Sequence, residues 1–188
     1  MTDQERIRAF YDRLYAKYGP QGWWPGETPL ECVIGAILTQ NTSWSNVEKA
    51  IENLKSNRVL SEAKINELRT EELARLIRPA GYYNQKALNI KLFIGHIYES
   101  HEGKLENMFK AETRELREEL LSQRGIGPET ADSILLYAAR RPVFVVDAYT
   151  YRIFSRHGLV PAETSYHEIQ ESLTTALTED ASVYSEYH

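Results

Sequence analysis

The sequence predicts an all-α protein, and three observations support that fold class. Apolar residues recur at the i, i+3, i+4 spacing of an amphipathic helix along almost the whole chain, first at Ile7, Phe10 and Tyr11. Residues that begin or end helices separate these segments: Ser, Thr and Asn precede them, and Gly or Pro follows. The one strand-like run, residues 143–146, is short, and Asp147 directly after it is placed to cap a helix. We therefore interpret this run as a buried connection.

These signals predict about nine to eleven helices. In chain order, one begins near the N-terminus and ends at Gly19-Pro20, a second is capped by residues 41–43, and a third is capped by Ser61. The other predicted helices cover residues 70–77, 85–100, 114–121, 130–139, the segment after Asp147, and residues 173–188. The last one breaks off without Gly, Pro or a polar tail. We expect the natural chain to continue beyond His188, although a protein that simply ends with this helix would look the same.

Length and composition are those of an ordinary globular protein. The 188 residues suffice for one domain or two small ones, and 42% of them are hydrophobic. No apolar run approaches the roughly 20 residues of a membrane span. The segment MTDQERIRAF lacks the apolar core of a signal peptide, so we expect a cytoplasmic protein with no membrane partner. The one cysteine, Cys32, excludes an intramolecular disulfide or a cysteine-built metal cluster within this chain and is expected to be a buried structural thiol.

The net charge of −5 argues mildly against a polyanionic partner, but the charge is unevenly distributed. Residues 75–158 hold 13 Lys and Arg against 10 Asp and Glu, whereas the rest of the chain holds 9 against 17. A locally basic face on an acidic protein is compatible with nucleic-acid binding and is weak support for it by itself.

Two glycines lie one residue apart in Gly125-Ile126-Gly127-Pro128, between two predicted helices. Glycine allows a tight turn and leaves no Cβ in the way of a ligand, and the following helix presents free N–H groups to a phosphate. We expect Ile126 to point inward and Pro128 to occupy the first helical turn. An ordinary helical hairpin without a ligand would have the same pattern.

Asp147 follows the apolar run and directly precedes a predicted helix. As the N-cap it would accept hydrogen bonds from the amides of the next turn, which favour the ionised carboxylate. On its own, the pattern indicates no more than a helix cap.

Four motifs in order resemble the helix-hairpin-helix DNA glycosylases of the endonuclease III superfamily, and in pattern most of all the endonuclease III-like 3-methyladenine glycosylases. The motifs are IGAILTQNTSWSNVEKAI (34–51), RPAGYYNQKA (78–87), RGIGPETADSILLYA (124–138) and VVDAYTYRIFSRHG (145–158). The resemblance implies two helical domains with a cleft between them: a helical barrel over residues 27–138 that contains the hairpin, and a second domain of residues 1–26 and 139–188. It also implies that a monomer works in the cytoplasm, at a bacterial or archaeal nucleoid, on double-stranded DNA with a damaged base flipped out of the helix.

The resemblance assigns roles to individual residues. Asp147 matches the catalytic carboxylate, which stabilises oxocarbenium-like charge on the sugar and activates the attacking water. Gln40 matches the side chain that fills the gap left by the flipped base, and Tyr82 matches a wedge against the opposite strand. The implied hairpin contacts to the DNA backbone, often made together with a bound monovalent cation, fall on Gly125, Ile126, Gly127 and Thr130.

Glu129 departs from the pattern of the family members that also cut the strand. Those members carry a lysine just after the second hairpin glycine, and this lysine forms a Schiff base with the sugar. A carboxylate cannot form an imine, so we expect hydrolysis of the N-glycosidic bond without AP-lyase activity. Lys86 and Lys91 lie elsewhere in the pattern and are expected to be surface charges.

Three tryptophans, Trp23, Trp24 and Trp44, fall in the first quarter of the chain, and none comes later. Packing would explain any one of them, but the run WWP, the stretch YNQKA and a glutamate after the hairpin resemble the 3-methyladenine glycosylases. There, aromatic residues at similar positions sandwich the damaged base, and Glu129 would shape the same pocket or simply cap its helix. An alkylated purine carries positive charge, so indole faces add a cation–π attraction.

Three other functions stay open on the sequence alone. One of them is an α-helical protein-interaction domain with no role at DNA, which only the net negative charge supports. An endonuclease III-type enzyme would act on oxidised pyrimidines or mismatches, and many such relatives hold an iron–sulfur cluster with four cysteines near the C-terminus. We expect no cofactor within this chain, and a cluster only if the natural chain extends further. A helix-hairpin-helix module that binds DNA without catalysis is the third alternative, but it would need neither Asp147 nor a tryptophan pocket.

Overall fold

The computed structural model describes residues 2–22, 24–161 and 163–188. These residues form twelve α-helices, one 3-10 turn and one π-helical segment, with no β-strand among them. The all-α fold class is therefore confirmed. Residues 143–146 form an irregular connection with Phe144, Val145 and Val146 buried, as the sequence predicts. Within the described ranges, no helix is both long and apolar enough to cross a membrane.

The helices in chain order are α1 (Asp3–Tyr18), α2 (Pro29–Leu38), α3 (Trp44–Ser56), α4 (Glu62–Glu67), α5 (Thr70–Leu76), a 3-10 turn (Arg78–Ala80), α6 (Tyr83–Ser100), α7 (Leu105–Met108), α8 (Thr113–Ser122), α9 (Pro128–Ser133), a π-helical segment (Ile134–Ala138), α10 (Ala148–Arg156), α11 (Tyr166–Ala176) and α12 (Ala181–Tyr187).

Several predicted helices are confirmed with shifted ends. The helix predicted over 130–139 begins at Pro128, whose ring fixes φ in the helical range, and widens from α to π at Ile134. Ser43 is the N-cap of α3, but its side chain makes no capping bond and instead lies 3.1 Å from the hydroxyl of Ser45.

The helix predicted over 173–188 is wrong as a single element. Residue 177 has extended backbone angles, and Asp180 caps a new helix by accepting hydrogen bonds from two amides of its first turn. The four-residue α7 is too short to show an apolar period. These two features raise the number of α-helices above the predicted range.

The chain divides into two compact units. The middle unit is Gly26–Ile134, and the terminal unit combines Met1–Pro25 with Leu135–His188. The domain boundaries derived from the sequence, 27–138 for the barrel and 1–26 with 139–188 for the second domain, stay a prediction.

The middle unit is built around α2, in which every residue after the exposed Pro29 is buried. Its sequence PLECVIGAIL is apolar on all sides, as expected for a helix surrounded by others. Thr28 caps it by accepting a hydrogen bond from the Glu31 amide, and Cys32 is buried as predicted. The buried Glu31 carboxylate pairs with Lys55 at 2.9 Å, so its charge is compensated.

Lys86 and Lys91 are not the surface charges that the sequence suggests. Lys86 is only 4% exposed, and its ammonium donates to the carbonyls of Leu38 and Ala80, each at 2.8 Å. Lys91 is half-buried and donates to the carbonyls of Ile65 and Asn66. Burial lowers the pKa of both lysines. These carbonyl oxygens lie in the last turns of α2, α4 and the 3-10 turn, where no intrahelical donor remains.

The terminal unit has its own apolar core. Side chains from α1, α11, α12 and the connection before α10 meet there, and its largest fully buried members are Tyr184, Phe144 and Ile7. Arg8 donates two hydrogen bonds to the carbonyl of Ala176 at the end of α11. The start and the end of the chain are thereby joined in one unit.

A buried ion pair connects α8 to α9. Arg117 donates to both carboxylate oxygens of Asp132, at 2.6 and 3.1 Å. The Asp132 side chain is completely buried, whereas that of Arg117 is 23% exposed. Because both members of the pair lie on the two helices that flank residues 123–127, the pair fixes the hairpin between them.

Candidate functional site: hairpin and capping aspartate

The two hairpin glycines have different structural roles. Gly125 has φ +78°, and a Cβ added there would lie 2.0 Å from Nδ2 of Asn89. Gly127 has an ordinary φ of −94°, and an added Cβ would meet nothing within 4 Å. The first glycine is therefore required by the fold, whereas the second leaves open space on the protein surface.

The hairpin presents backbone amides to its surroundings. Within the described part of the chain, the amides of Gly125 and Gly127 donate no hydrogen bond. Ile126 between them is 6% exposed and anchors the loop to the core, as predicted. Pro128 occupies the first turn of α9, also as predicted. A loop with a buried anchor and outward amides is suited to binding an anion such as a phosphate.

Gln40 lies against the hairpin. Its side-chain amide donates to the carbonyl of Gly125 at 2.8 Å and to the hydroxyl of Thr130 at 3.0 Å. Thr130 is buried, with 7% of its surface exposed. The roles of Gln40 and Thr130 at DNA stay predictions, and so does a monovalent cation at the hairpin.

Tyr82 is 76% exposed and has left-handed backbone angles, φ 44° and ψ 29°. This conformation is costly for a bulky residue and is found mostly where function or a tight turn requires it. It places an exposed aromatic ring at the start of α6. The geometry is compatible with the predicted wedge.

Asp147 is the N-cap of α10, as predicted. Its Oδ1 accepts hydrogen bonds from the Thr150 amide at 2.7 Å and from the Thr150 hydroxyl at 2.8 Å. No hydrogen bond from a described residue ends on Oδ2. The carboxylate is half-buried. One oxygen therefore fixes the orientation of the side chain, and the other is available to a ligand.

An aromatic group that includes Trp24 belongs to the same unit as Asp147. The Trp24 indole stacks on Tyr137 with ring centroids 4.5 Å apart and an angle of 16° between the rings. The Tyr137 hydroxyl lies 2.7 Å from Nδ1 of His188. Burial lowers the pKa of His188, and the negative charge of Asp147 acts in the opposite direction.

The other predicted pocket residues are described in part. Trp44 begins α3 in the middle unit, is half-buried and donates to Glu48 at 3.1 Å. Glu129 is exposed in the first turn of α9, where its negative charge interacts favourably with the positive end of the helix dipole. Trp23 lies outside the described residues.

Three residues next to the hairpin or to Trp24 are not predicted from the sequence. Asn89 packs against Gly125, Tyr137 stacks on Trp24, and His188 contacts the hydroxyl of Tyr137. Only Tyr137 has a local indication in the sequence, because it is the aromatic residue of the hairpin motif and lies close to the apolar connection 143–146. The other two come into place only through tertiary packing.

Comparisons with known proteins agree with this geometry. Residues 34–179 match the HhH-GPD superfamily of base excision DNA repair proteins. A protein of Methanocaldococcus jannaschii named "Putative DNA repair glycosylase" is 52% identical over 186 residues, which cover 98% of this chain and 84% of the relative. The chain therefore belongs to the HhH-GPD superfamily, within the wider endonuclease III superfamily, as the sequence motifs indicate.

Two further similar proteins have different names and stand for different activities within the superfamily. The crystal structure of the H. pylori 3-methyladenine DNA glycosylase bound to 1,N6-ethenoadenine superposes with a TM-score of 0.85 and 32% identity, covering 100% of this chain and 94% of that one. An endonuclease III of Thermotoga maritima is 31% identical over 156 residues, which cover 81% of this chain and 67% of the relative.

The two glycines provide a test of the hairpin. We expect Gly125→Ala to lower the free energy of unfolding by about 1–2 kcal/mol, because alanine disfavours a left-handed φ, and by more if Asn89 cannot move. Gly127→Ala should leave stability nearly unchanged but weaken DNA binding roughly tenfold, since a methyl group would hinder close approach of a phosphate. Urea unfolding and fluorescence anisotropy with a duplex measure the two effects. Equal DNA affinity of Gly127→Ala and wild type would contradict the assignment.

Proposed function

We propose that this protein is a monofunctional DNA glycosylase that hydrolyses the N-glycosidic bond of an alkylated purine such as 3-methyladenine. The substrate is double-stranded DNA with the damaged base flipped out of the helix. The observation that carries the proposal is the divided carboxylate of Asp147, with Oδ1 held by Thr150 and Oδ2 without a hydrogen bond from the described residues.

The carboxylate has two tasks in the proposed reaction. As the bond between C1′ and the base breaks, positive charge develops on the sugar, and a fixed negative charge stabilises it without reorganisation. Oδ2 also accepts the proton of the water whose oxygen bonds to C1′. The products are the free base and an abasic site. The hydrogen bonds from Thr150 orient the carboxylate before the substrate arrives.

The residues at and near the sequence motifs favour hydrolysis over strand cleavage, because strand cleavage requires an amine nucleophile. The position after the hairpin is Glu129, which cannot form a Schiff base. Lys86 and Lys91 have lowered pKa values, but their ammonium groups donate to backbone carbonyls, and Lys86 is buried. These hydrogen bonds disfavour either amine as the nucleophile that attacks the sugar.

An alkylated purine is the substrate that best fits the aromatic residues. Its positive charge is attracted to indole and phenol faces, and Trp24 and Tyr137 supply such faces in the unit that carries Asp147. Its glycosidic bond is weak because the base leaves as a neutral molecule, so the site needs no strong general acid. The likeness to a 3-methyladenine glycosylase supports the same choice.

DNA binding is assigned to the middle unit. The amides of Gly125 and Gly127 would hold one phosphate, while the exposed ring of Tyr82 would press on the bases. Gln40 would leave its hairpin partners to fill the gap after the base flips out. The proposed protein acts as a monomer. It needs no cofactor from this chain, which has one buried cysteine and so offers no set of thiolates for an iron–sulfur cluster.

A glycosylase for oxidised pyrimidines is the rival, and the likeness to an endonuclease III favours it. The two functions differ in the charge of the leaving base and therefore in their dependence on Trp24. They also differ in the product, because a bifunctional enzyme cuts the strand.

The role of Asp147 is tested by Asp147→Asn. Asparagine is an equally good N-cap, so stability should stay within about 1 kcal/mol of wild type. The loss of negative charge should lower single-turnover release of 3-methyladenine from methylated DNA by about 10²–10³-fold. Chromatography of the released base measures this rate.

A matched control is Asp180→Asn. Asp180 is also an aspartate N-cap in the terminal unit, at the exposed start of α12. Its variant should release base at the wild-type rate. If Asp147→Asn is as active as Asp180→Asn, Asp147 is a cap and not the catalytic carboxylate.

The alkylpurine assignment is tested by Trp24→Ala. Losing one stacking surface should lower base release from methylated DNA by about 10–100-fold while changing duplex affinity by less than about threefold. Trp24→Phe should recover part of the activity, and Tyr18→Ala, at an exposed tyrosine of α1, should have no effect. Equal losses of affinity and activity would instead assign Trp24 a structural role.

A further inference from the structure

Two histidines and a glutamate of the middle unit meet around one oxygen atom. His96 lies on α6, His101 ends that helix, and Glu119 lies on α8. Nε2 of His96 is 2.6 Å and Nε2 of His101 is 2.5 Å from the same Oε1 of Glu119. We refer to these three residues as the His–Glu cluster. The base excision reaction proposed above does not use it.

The backbone around the cluster is fixed. The chain reverses after α6 through Glu102 and Gly103, both with positive φ, and the Gly103 amide donates back to the carbonyl of Ile97 at 3.0 Å. The carbonyl of His101 accepts a hydrogen bond from the side chain of Asn107 at 3.0 Å. The position of His101 is therefore set by the turn, independently of Glu119.

The cluster is held together at short range in a half-buried place. The side chains are 25%, 17% and 24% exposed for His96, His101 and Glu119, respectively. Burial opposes ionisation of Glu119, but hydrogen bonds from His101 and His96 outweigh it and hold the pKa of the carboxyl below its usual range. The cluster thus combines an anionic oxygen with two imidazoles that water and ions can reach.

The donor atoms match the ligand set of a transition metal. One ligand atom from each residue lies within 4.8 Å of the other two. Zinc binds imidazole nitrogen at about 2.0–2.1 Å and carboxylate oxygen at about 2.0–2.2 Å, and two histidines with one glutamate leave a fourth position for water. Magnesium and calcium prefer sites made of oxygen alone. The nitrogen content therefore selects zinc and similar ions.

We propose that His96, His101 and Glu119 form a binding site for one divalent transition metal ion, with zinc as the expected ion. In the complex each imidazole is the neutral tautomer with its proton on Nδ1, so that Nε2 offers its lone pair to the ion, and any proton displaced from Nε2 passes to solvent. The ion then joins α6 to α8, the first helix of the hairpin. Solvent supplies the fourth ligand.

The experiment titrates zinc chloride into the full chain after removal of any affinity tag and dialysis against a chelator. Calorimetry should give one ion per chain, and the melting temperature should rise by about 5–10 °C at a free zinc concentration roughly a hundredfold above Kd. Magnesium at the same concentration should produce no rise. Cobalt should bind with visible absorption bands. No saturable binding, or binding of magnesium as well as zinc, would overturn the proposal.

Variants assign the ion to these residues. His96→Gln and Glu119→Gln should each weaken zinc binding at least tenfold, whereas His167→Gln, which removes an exposed histidine on α11, should leave it unchanged. His101→Cys keeps a zinc ligand and should retain binding that His101→Gln loses, so a general folding defect is distinguishable. Unchanged zinc affinity in His96→Gln and Glu119→Gln, or equal losses in His167→Gln, would contradict the site.

Discussion

The hairpin depends on the ion pair between Arg117 and Asp132. Asp132 is completely buried and receives two hydrogen bonds from one guanidinium group. Removing Arg117 would leave the carboxylate of Asp132 as an uncompensated buried charge, which costs about 3–5 kcal/mol. The exposed pair of Arg114 and Glu118 on the same helix contributes at most about 1 kcal/mol. Because Arg117 and Asp132 lie on opposite sides of the loop, they fix α8 against α9, and with that the positions of Gly125, Ile126 and Gly127.

The proposed chemistry depends on which polar groups are hydrogen-bonded within the protein and which are left to interact with a ligand. Asp147 uses one oxygen to cap α10 and keeps the other without a hydrogen bond from the described residues. The amines of Lys86 and Lys91 each donate two hydrogen bonds to backbone carbonyls. With Glu129 after the hairpin, the residues named for catalysis support attack by water and not by an amine.

The sequence predicts those parts of the site whose partners are close in the chain. The cap at Asp147 joins residues three apart, and the buried Ile126 and the proline turn follow from the GIGP pattern itself. The environment of Lys86 depends on a carbonyl 48 residues away, and the contact of Tyr137 with His188 spans 51 residues. Nothing local in the sequence distinguishes a lysine on the surface from one that caps a distant helix. For the same reason, the gathering of His96, His101 and Glu119 is visible only in the fold.

The most direct test of the account is the product formed from a duplex that carries a single alkylated adenine. The end-labelled strand is examined before and after alkali, and a parallel sample contains borohydride to trap any Schiff base. We expect release of the base, an uncut strand until alkali is added, and no covalent complex of protein with DNA. Strand cleavage without alkali, or a complex trapped by borohydride, would contradict it.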